Sequence, residues 1–559
     1  MAPPSLSRGL KRKRGAPVSS KPRKARPGPS KLRGDDDSDI VSQASREEDT
    51  GFGLDDIDLR RPDDEDGSSG DEDENETPAQ KRLRLATLYL ENVKSDLAAQ
   101  QEGTFDAAEI DRELIQARLK QDVVQQSGKL HDRVADRVSS EQSSLRFLKV
   151  RGHRLPVTSA VASQDGTALF TAGKEGHIIK WDLRTGKQIA FFPKQRQEKT
   201  DVKGKGKARI PIGEDVNGHV DEVLSLALSD DGHYLASGGR DRRIGFWEAK
   251  EGRWLRGLGG HKDAITGVTF RKGSSQLYSA SLDRTVKSWD AAVLAYVETM
   301  FGHQDGITSI DALRAETAVS SGGRDTTVRF WKIIDETYLV FRGGGRSRLR
   351  EVLEGGMEDA EQSEKGKGSY IEGSLECVAM VDESTFLSGG DSGTISLWST
   401  TKKKPLFKQP LAHGLNEMLS STEGPLRTPR WITSLASLRY SDLFASGSWD
   451  GRIRLWKISE DVRSFAPVAE VQAPGFVNSL QLLSPPWTTI QEAEWAREEQ
   501  PAGQARVNGV PKNDQRRAIV LVAALGQEPR MGRWMRIKGP KAQNATLVVP
   551  LRLTGVISP

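Results

Sequence analysis

The sequence predicts an all-β fold, a seven-bladed β-propeller behind a partly disordered, partly helical N-terminal arm. Three observations predict it: a repeated Gly-His…Trp unit, a constant interval inside that unit, and the spacing of successive units. Gly-His pairs stand at Gly152-His153, Gly218-His219, Gly260-His261 and Gly302-His303. Each His precedes a Trp by 28 residues, at Trp181, Trp247, Trp289 and Trp331. The last three Trp residues follow one another at 42 residues, and degenerate copies end at Trp398, Trp456 and Trp534, which makes seven units.

A period of about 40–45 residues with a Trp at the end of the third strand is the signature of WD40 repeats, each a four-stranded blade. The stretch from His to Trp fits that blade. Alternating runs such as Val223-Leu224-Ser225-Leu226 and Ile265-Thr266-Gly267-Val268 read as first strands. A turn with Asp and Gly follows, as in Asp230-Asp231-Gly232, then a second strand such as Leu235 to Gly239. An acid stands six residues before the Trp: Asp241, Asp283, Asp325, Asp450, and Glu175 in the first copy. In WD40 blades such an acid accepts from the His, a hydroxyl holds the His, and the indole N–H reaches the hydroxyl. Such a buried chain stabilises only when every member is satisfied. His261, Ser281, Asp283 and Trp289 are read as the one complete set. Gly239 and Gly323 fall where the hydroxyl belongs in the neighbouring blades, which predicts shorter networks there. Within a repeat these residues are scaffold, not a catalytic His-Ser-Asp group.

The longer Trp intervals locate extra chain between blades. Residues 199–209, 343–368, 402–429 and 484–517 are rich in Gly, Pro and charge and read as surface loops. The ring closes through 145–150 as the outer strand of the last blade, through 546–551, or through both. The predicted domains are a disordered arm at 1–76, a helical segment at 77–142 and the propeller at 143–556.

The arm divides by charge. Residues 8–33 carry eleven Lys and Arg and no acid, a composition that cannot bury a core. Lys11, Arg12, Lys13, Arg14, Lys21, Arg23, Lys24 and Arg26 read as a nuclear import signal, the alternative being a solvated tail. Residues 35–76 are acidic and self-repelling, either a spacer or a binder of a basic partner. Order resumes at Thr77-Pro78-Ala79-Gln80, a helix start, with Leu83, Ala86, Leu90 and Val93 at helical spacing. A second stretch carries Ile110, Leu114, Ala117 and Val124.

The composition excludes several classes. The single Cys377 leaves no disulfide within the chain, and eight His without metal spacing give no metal site. No apolar run spans a membrane. Gly-Lys pairs at Gly186-Lys187, Gly204-Lys205 and Gly366-Lys367 lack the Ser or Thr of a phosphate-binding loop. The reading is therefore a binding platform without cofactor, metal or small-molecule substrate, and not an enzyme.

The residues flanking each turn acid are expected to point out from one rim. They are Lys174, Arg240, Arg242, Arg243, Arg284, Arg324, Trp449 and Arg452, with Leu282 the apolar exception. Cations with an aromatic among them are what phosphate backbones and unpaired bases use, so these eight are the candidate RNA-binding residues. The alternative is that the arginines pair with nearby acids.

Several blocks resemble one family, the WD40 subunit of the U3 small nucleolar ribonucleoprotein, or ribosomal RNA-processing protein 9 family. They are the arm segment from Glu76 to Ala86 running on through Leu88, Tyr89 and Leu90, the stretch from Tyr296 to Asp305, Gly322-Gly323-Arg324-Asp325, and Gly532 to Lys538. The resemblance covers about residues 76 to 552. It implies binding to the box B/C region of U3 small nucleolar RNA beside a small kink-turn-binding protein. It also implies a place among small-subunit processome proteins in the nucleolus of the nucleus, and a role in pre-ribosomal RNA processing. The rival reading is a generic nuclear protein-binding propeller such as a ubiquitin-ligase substrate receptor.

Overall fold

In the computed structural model, residues 123–195, 217–343, 373–420, 424–496 and 517–553 are described, apart from Gln126, Glu141, 143–145, Lys538, Pro540 and Lys541. The basic and acidic arm, the helical reading of 77–122 and the insertion at 199–209 lie outside them, as does nearly all of 343–368.

Seven four-stranded antiparallel sheets form the propeller. Blades 1 to 6 each use four consecutive strands, within 157–192, 223–258, 265–301, 307–342, 375–409 and 434–472. The first strands are buried along their whole length, as in Val157–Ala162 and Ile265–Phe270, because neighbouring blades cover them. Outer strands alternate with solvent, as in Gln188–Phe192. An apolar cluster fills each junction between blades. The cluster of Leu521, Leu525, Leu455 and Val471 joins blades 6 and 7, and that of Leu169, Trp181, Val522 and Val548 joins 7 and 1.

Both terminal candidates are used to close the ring. Blade 7 consists of Phe476–Leu483, Val520–Gly526 and Ala545–Pro550, with Leu148–Val150 from the far end of the chain as its outer strand. Lys149 pairs with Leu547 in that seam. Trp534 does not end the third strand of this blade, as the repeat count implied. It lies between the second and third strands, and Val548 and Val549 fill the sheet instead. Burial in a closed ring fits apolar β-branched residues as well as an indole.

The polar network also needs correcting. The hydroxyl is Ser279, not Ser281: Ser279 Oγ lies 2.7 Å from His261 Nε2 and accepts from Trp289 Nε1 at 2.8 Å. Ser281 sits at the strand end, where its hydroxyl donates to the Asp263 carbonyl. The two serines share a face of the pleat, so only the indole's reach separates them. By the same rule Ser237, Ser320 and Ser446 complete the sets of His219, His303 and His413 with Trp247, Trp331 and Trp456. Blade 3 is thus one of four complete networks among the described residues. Neither Gly239 nor Gly323 shortens its network, since Ser237 and Ser320 supply the hydroxyls; a Cβ at Gly239 would collide with the Asp241 carboxylate and the His219 ring.

The insertions are more ordered than expected. Lys402–Gln409 is the outer strand of blade 5, and Leu415–Ser420 pairs with Gly424–Pro429 as a separate hairpin. Trp487–Glu492 is a short helix. The described end of the arm packs on blade 6. Val134 and Ala135 donate their N–H groups to Asp442 Oδ1 at 2.8 and 3.0 Å, and Val134, Ala135 and Val138 join the cluster between blades 6 and 7.

Candidate nucleic-acid interface

The rim that carries the His loops is also the rim of the turns between second and third strands, and the network fixes both. Asp241 accepts from His219 Nδ1 at 3.0 Å and from the N–H groups of Val220 and Arg243. Burial pushes the Asp241 carboxyl up, but the His219 ring and these donors hold it below the usual range. The carboxylate therefore ties the turn down and leaves its flanking side chains outside.

Immediately after the acid, the chain needs a left-handed residue. Gly176, Gly393 and Gly451 supply it in blades 1, 5 and 6, at φ of 82°, 69° and 84°, with Ser392 in the acid's place in blade 5, and Thr326 supplies it in blade 4 at φ of 50°. In blades 2 and 3 the same place holds Arg242 and Arg284, at φ of 68° and 71°. An L-residue there costs roughly 1–2 kcal/mol relative to right-handed backbone. Both arginines are exposed, so no packing offsets that cost, and strain of this kind gathers at functional positions.

The other candidates divide. Arg240 is 57% exposed and pairs with Glu222 at 3.2 Å. Arg324 is exposed, and Arg452 pairs with Glu470 at 2.6 Å. Arg243 is half-buried, and so is Trp449. Lys174 does not point outward: it is 3% exposed. Its ammonium donates to the Gly532 carbonyl at 2.6 Å and lies 3.5 Å from Glu528. Burial pushes this amine below its ordinary range.

Lys174 is buried by the loop between the second and third strands of blade 7, residues 527–544. The loop lies on the rim and brings residues that the repeat pattern did not single out. Arg530 is half-buried and donates to the Thr308 carbonyl at 2.8 Å, beside Glu376 in the lining of the central channel. Arg533 meets Glu222 at 2.6 Å. Trp534 is 72% exposed and lies 5.1 Å from the Trp431 ring. Trp431 in turn lies 5.4 Å from Trp449, whose other neighbours are Phe476 and the Arg430 guanidinium at 5.6 Å. The rim thus joins an aromatic platform to a semicircle of cations. Groups of this kind are suited to stacking and anion binding. Among the described residues no three His, Cys, Asp or Glu are grouped to hold a metal. The signal for the platform was the awkward Trp534 interval together with the Gly532 to Lys538 block.

The family description "WD domain, G-beta repeat" matches residues 143–182, 211–248, 252–290, 295–332 and 419–457. U3 small nucleolar RNA-interacting protein 2 of Mus musculus is 40% identical, over 85% of this chain and 83% of its own length. Ribosomal RNA-processing protein 9 of Saccharomyces cerevisiae is 30% identical, over 89% and 92%. The chain belongs to this family of U3 ribonucleoprotein WD40 proteins. A solved member, "Structure of U3-55K", matches 74% of this chain and 100% of its own, at 36% identity and a TM-score of 0.55. The family's proteins are WD40 proteins of ribosomal RNA processing.

Proposed function

We propose that this chain binds the box B/C region of U3 small nucleolar RNA through the rim described above. It does so together with a small kink-turn-binding protein, and it acts as a scaffold within the small-subunit processome for pre-ribosomal RNA processing and 18S maturation. The basic clusters of the arm serve nuclear import, and the working compartment is the nucleolus. The chain positions RNA and protein without transforming them. The relatives' names support the RNA. The observation that carries the surface is the pair of exposed, left-handed arginines, Arg242 and Arg284, on one rim with Arg324 and the Trp431, Trp449 and Trp534 platform. Guanidinium groups neutralise phosphates, and exposed indoles stack unpaired bases at about 1–3 kcal/mol each.

The test is a salt titration of binding to a box B/C transcript. Arg240→Glu with Arg324→Glu should weaken binding at least tenfold and flatten the dependence of log K on log salt by about two phosphate contacts. An unchanged affinity and slope would remove this rim from the account.

A further inference from the structure

Arg329 is the most anomalous cation among the described residues. It stands in the middle of the third strand of blade 4 and is 6% exposed. Its guanidinium lies 4.4 Å over the Tyr338 ring. Its Nε and Nη1 are buried and have no hydrogen-bond partner. Buried guanidinium N–H groups are costly unless something accepts from them.

Blade 6 shows how this chain satisfies the same position. Arg454 stands two residues before Trp456, as Arg329 stands two before Trp331. Across the ladder from Arg454 is Glu470, whose carboxylate accepts from Arg454 Nε at 3.1 Å. Across from Arg329 is Val340. Blade 4 therefore keeps the cation and omits its acid.

The space beside Arg329 is a cleft of about 650 Å³. Arg342 and Lys403 add two further cations to its wall, and Gln304, Thr326 and Thr327 add neutral polar groups. One carboxylate, Asp325, also borders it. That carboxylate already accepts from His303 Nδ1, from the N–H groups of Gln304 and Thr327, and from the Thr327 hydroxyl. The absence of a side chain at Gly302 leaves room for the Arg329 guanidinium, which a Cβ there would strike. Two further cations, the Thr326 hydroxyl and the Gln304 amide around a planar guanidinium suit an oxyanion with several oxygens, which is a phosphate rather than a lone carboxylate.

We propose that this cleft is a phosphate-binding site and that its occupant is a backbone phosphate of the bound RNA. This rests on the RNA-binding reading above. The cleft starts at Thr326, two residues from Arg324 on the cationic rim, so an RNA strand leaving the rim over blade 4 meets it without crossing another blade. A phosphorylated or acidic protein segment is the competing occupant.

The test installs the missing acid. Val340→Glu in the full chain copies the Arg454–Glu470 pair, a combination this fold already accommodates. Val340→Gln is the neutral control. Binding to a box B/C transcript should fall about tenfold in Val340→Glu, with the salt slope reduced by about one, and should be nearly unchanged in Val340→Gln. Inorganic phosphate should raise the melting temperature of the wild type and not of Val340→Glu. Wild-type RNA affinity and slope in a folded Val340→Glu protein would overturn the proposal and leave the rim reading standing. Protection by phosphate that Val340→Glu abolishes, with RNA binding unaffected, would assign the cleft to a phosphorylated protein and overturn the RNA occupant. A wild type that binds no box B/C RNA would overturn the rim reading itself, and this occupant with it.

Discussion

Blades 1 and 3 are built from the same unit, and their turn acids differ by one methylene. In blade 3 Asp283 accepts from His261 Nδ1 at 2.9 Å, and the His reaches Ser279 and Trp289 beyond it. In blade 1 Glu175 stands in the same place. Its longer side chain turns to the N–H groups of Arg154 and Leu155, at 2.7 and 2.8 Å. His153 still holds Thr171 at 3.0 Å, and Trp181 Nε1 donates to that hydroxyl at 2.9 Å. Yet His153 Nδ1 is buried with no partner. Burial pushes the His153 imidazole down to about 4, with Glu175 opposing weakly. The turn survives the exchange because the acid still ties backbone, whereas the chain from acid to indole is broken at its first link.

The largest effect that separates the two blades is loss of the His. His261→Ala leaves the Asp283 carboxylate and Ser279 without their buried partner and should cost about 2–4 kcal/mol. His153→Ala strands no carboxylate and should cost about half as much. Denaturant midpoints for the two variants decide this, and equal losses would break the comparison. Within blade 3, Ser279→Ala should destabilise clearly more than Ser281→Ala.

A smaller effect is pH dependence. An imidazole held at about 4 in the fold and near 6.5 when unfolded takes up its proton in the unfolded chain first. Stability from this site is full above about 6.5 and falls as pH drops toward 4. Glu175→Asp gives His153 the acceptor that His261 has, and it should flatten that decline in the melting temperature. A decline as steep as in the wild type would show that the missing contact between the turn acid and His153 Nδ1 is not what sets it.

Blade number, the His-to-Trp interval and the turn acids were legible in the sequence because they are local and periodic. The outward arginines of blades 2 to 4 were legible for the same reason, as neighbours of those acids. Ser279 was not separable from Ser281, because two residues apart on a strand share a face. Lys174 was misplaced because the loop that buries it lies some 350 residues away along the chain. Trp534 was counted as a strand end because a Trp at the end of a weak repeat looks alike whether it sits in the sheet or on the rim. The mixed origin of blade 7 was likewise beyond local pattern, since its outer strand comes from the opposite end of the propeller sequence. Arg329 needed pairing registers, which showed that its cross-strand neighbour is Val340 and not an acid.

The central claim is that this rim sacrifices backbone stability for RNA contact. It is tested most directly by replacing Arg242 and Arg284 together with Gly, the residue that blades 1, 5 and 6 use at that turn. The account predicts a protein that melts at the same temperature or higher, since a left-handed Gly relieves roughly 1 kcal/mol per site, and that binds a box B/C transcript at least tenfold more weakly. A variant that binds the RNA as tightly as the wild type would contradict it.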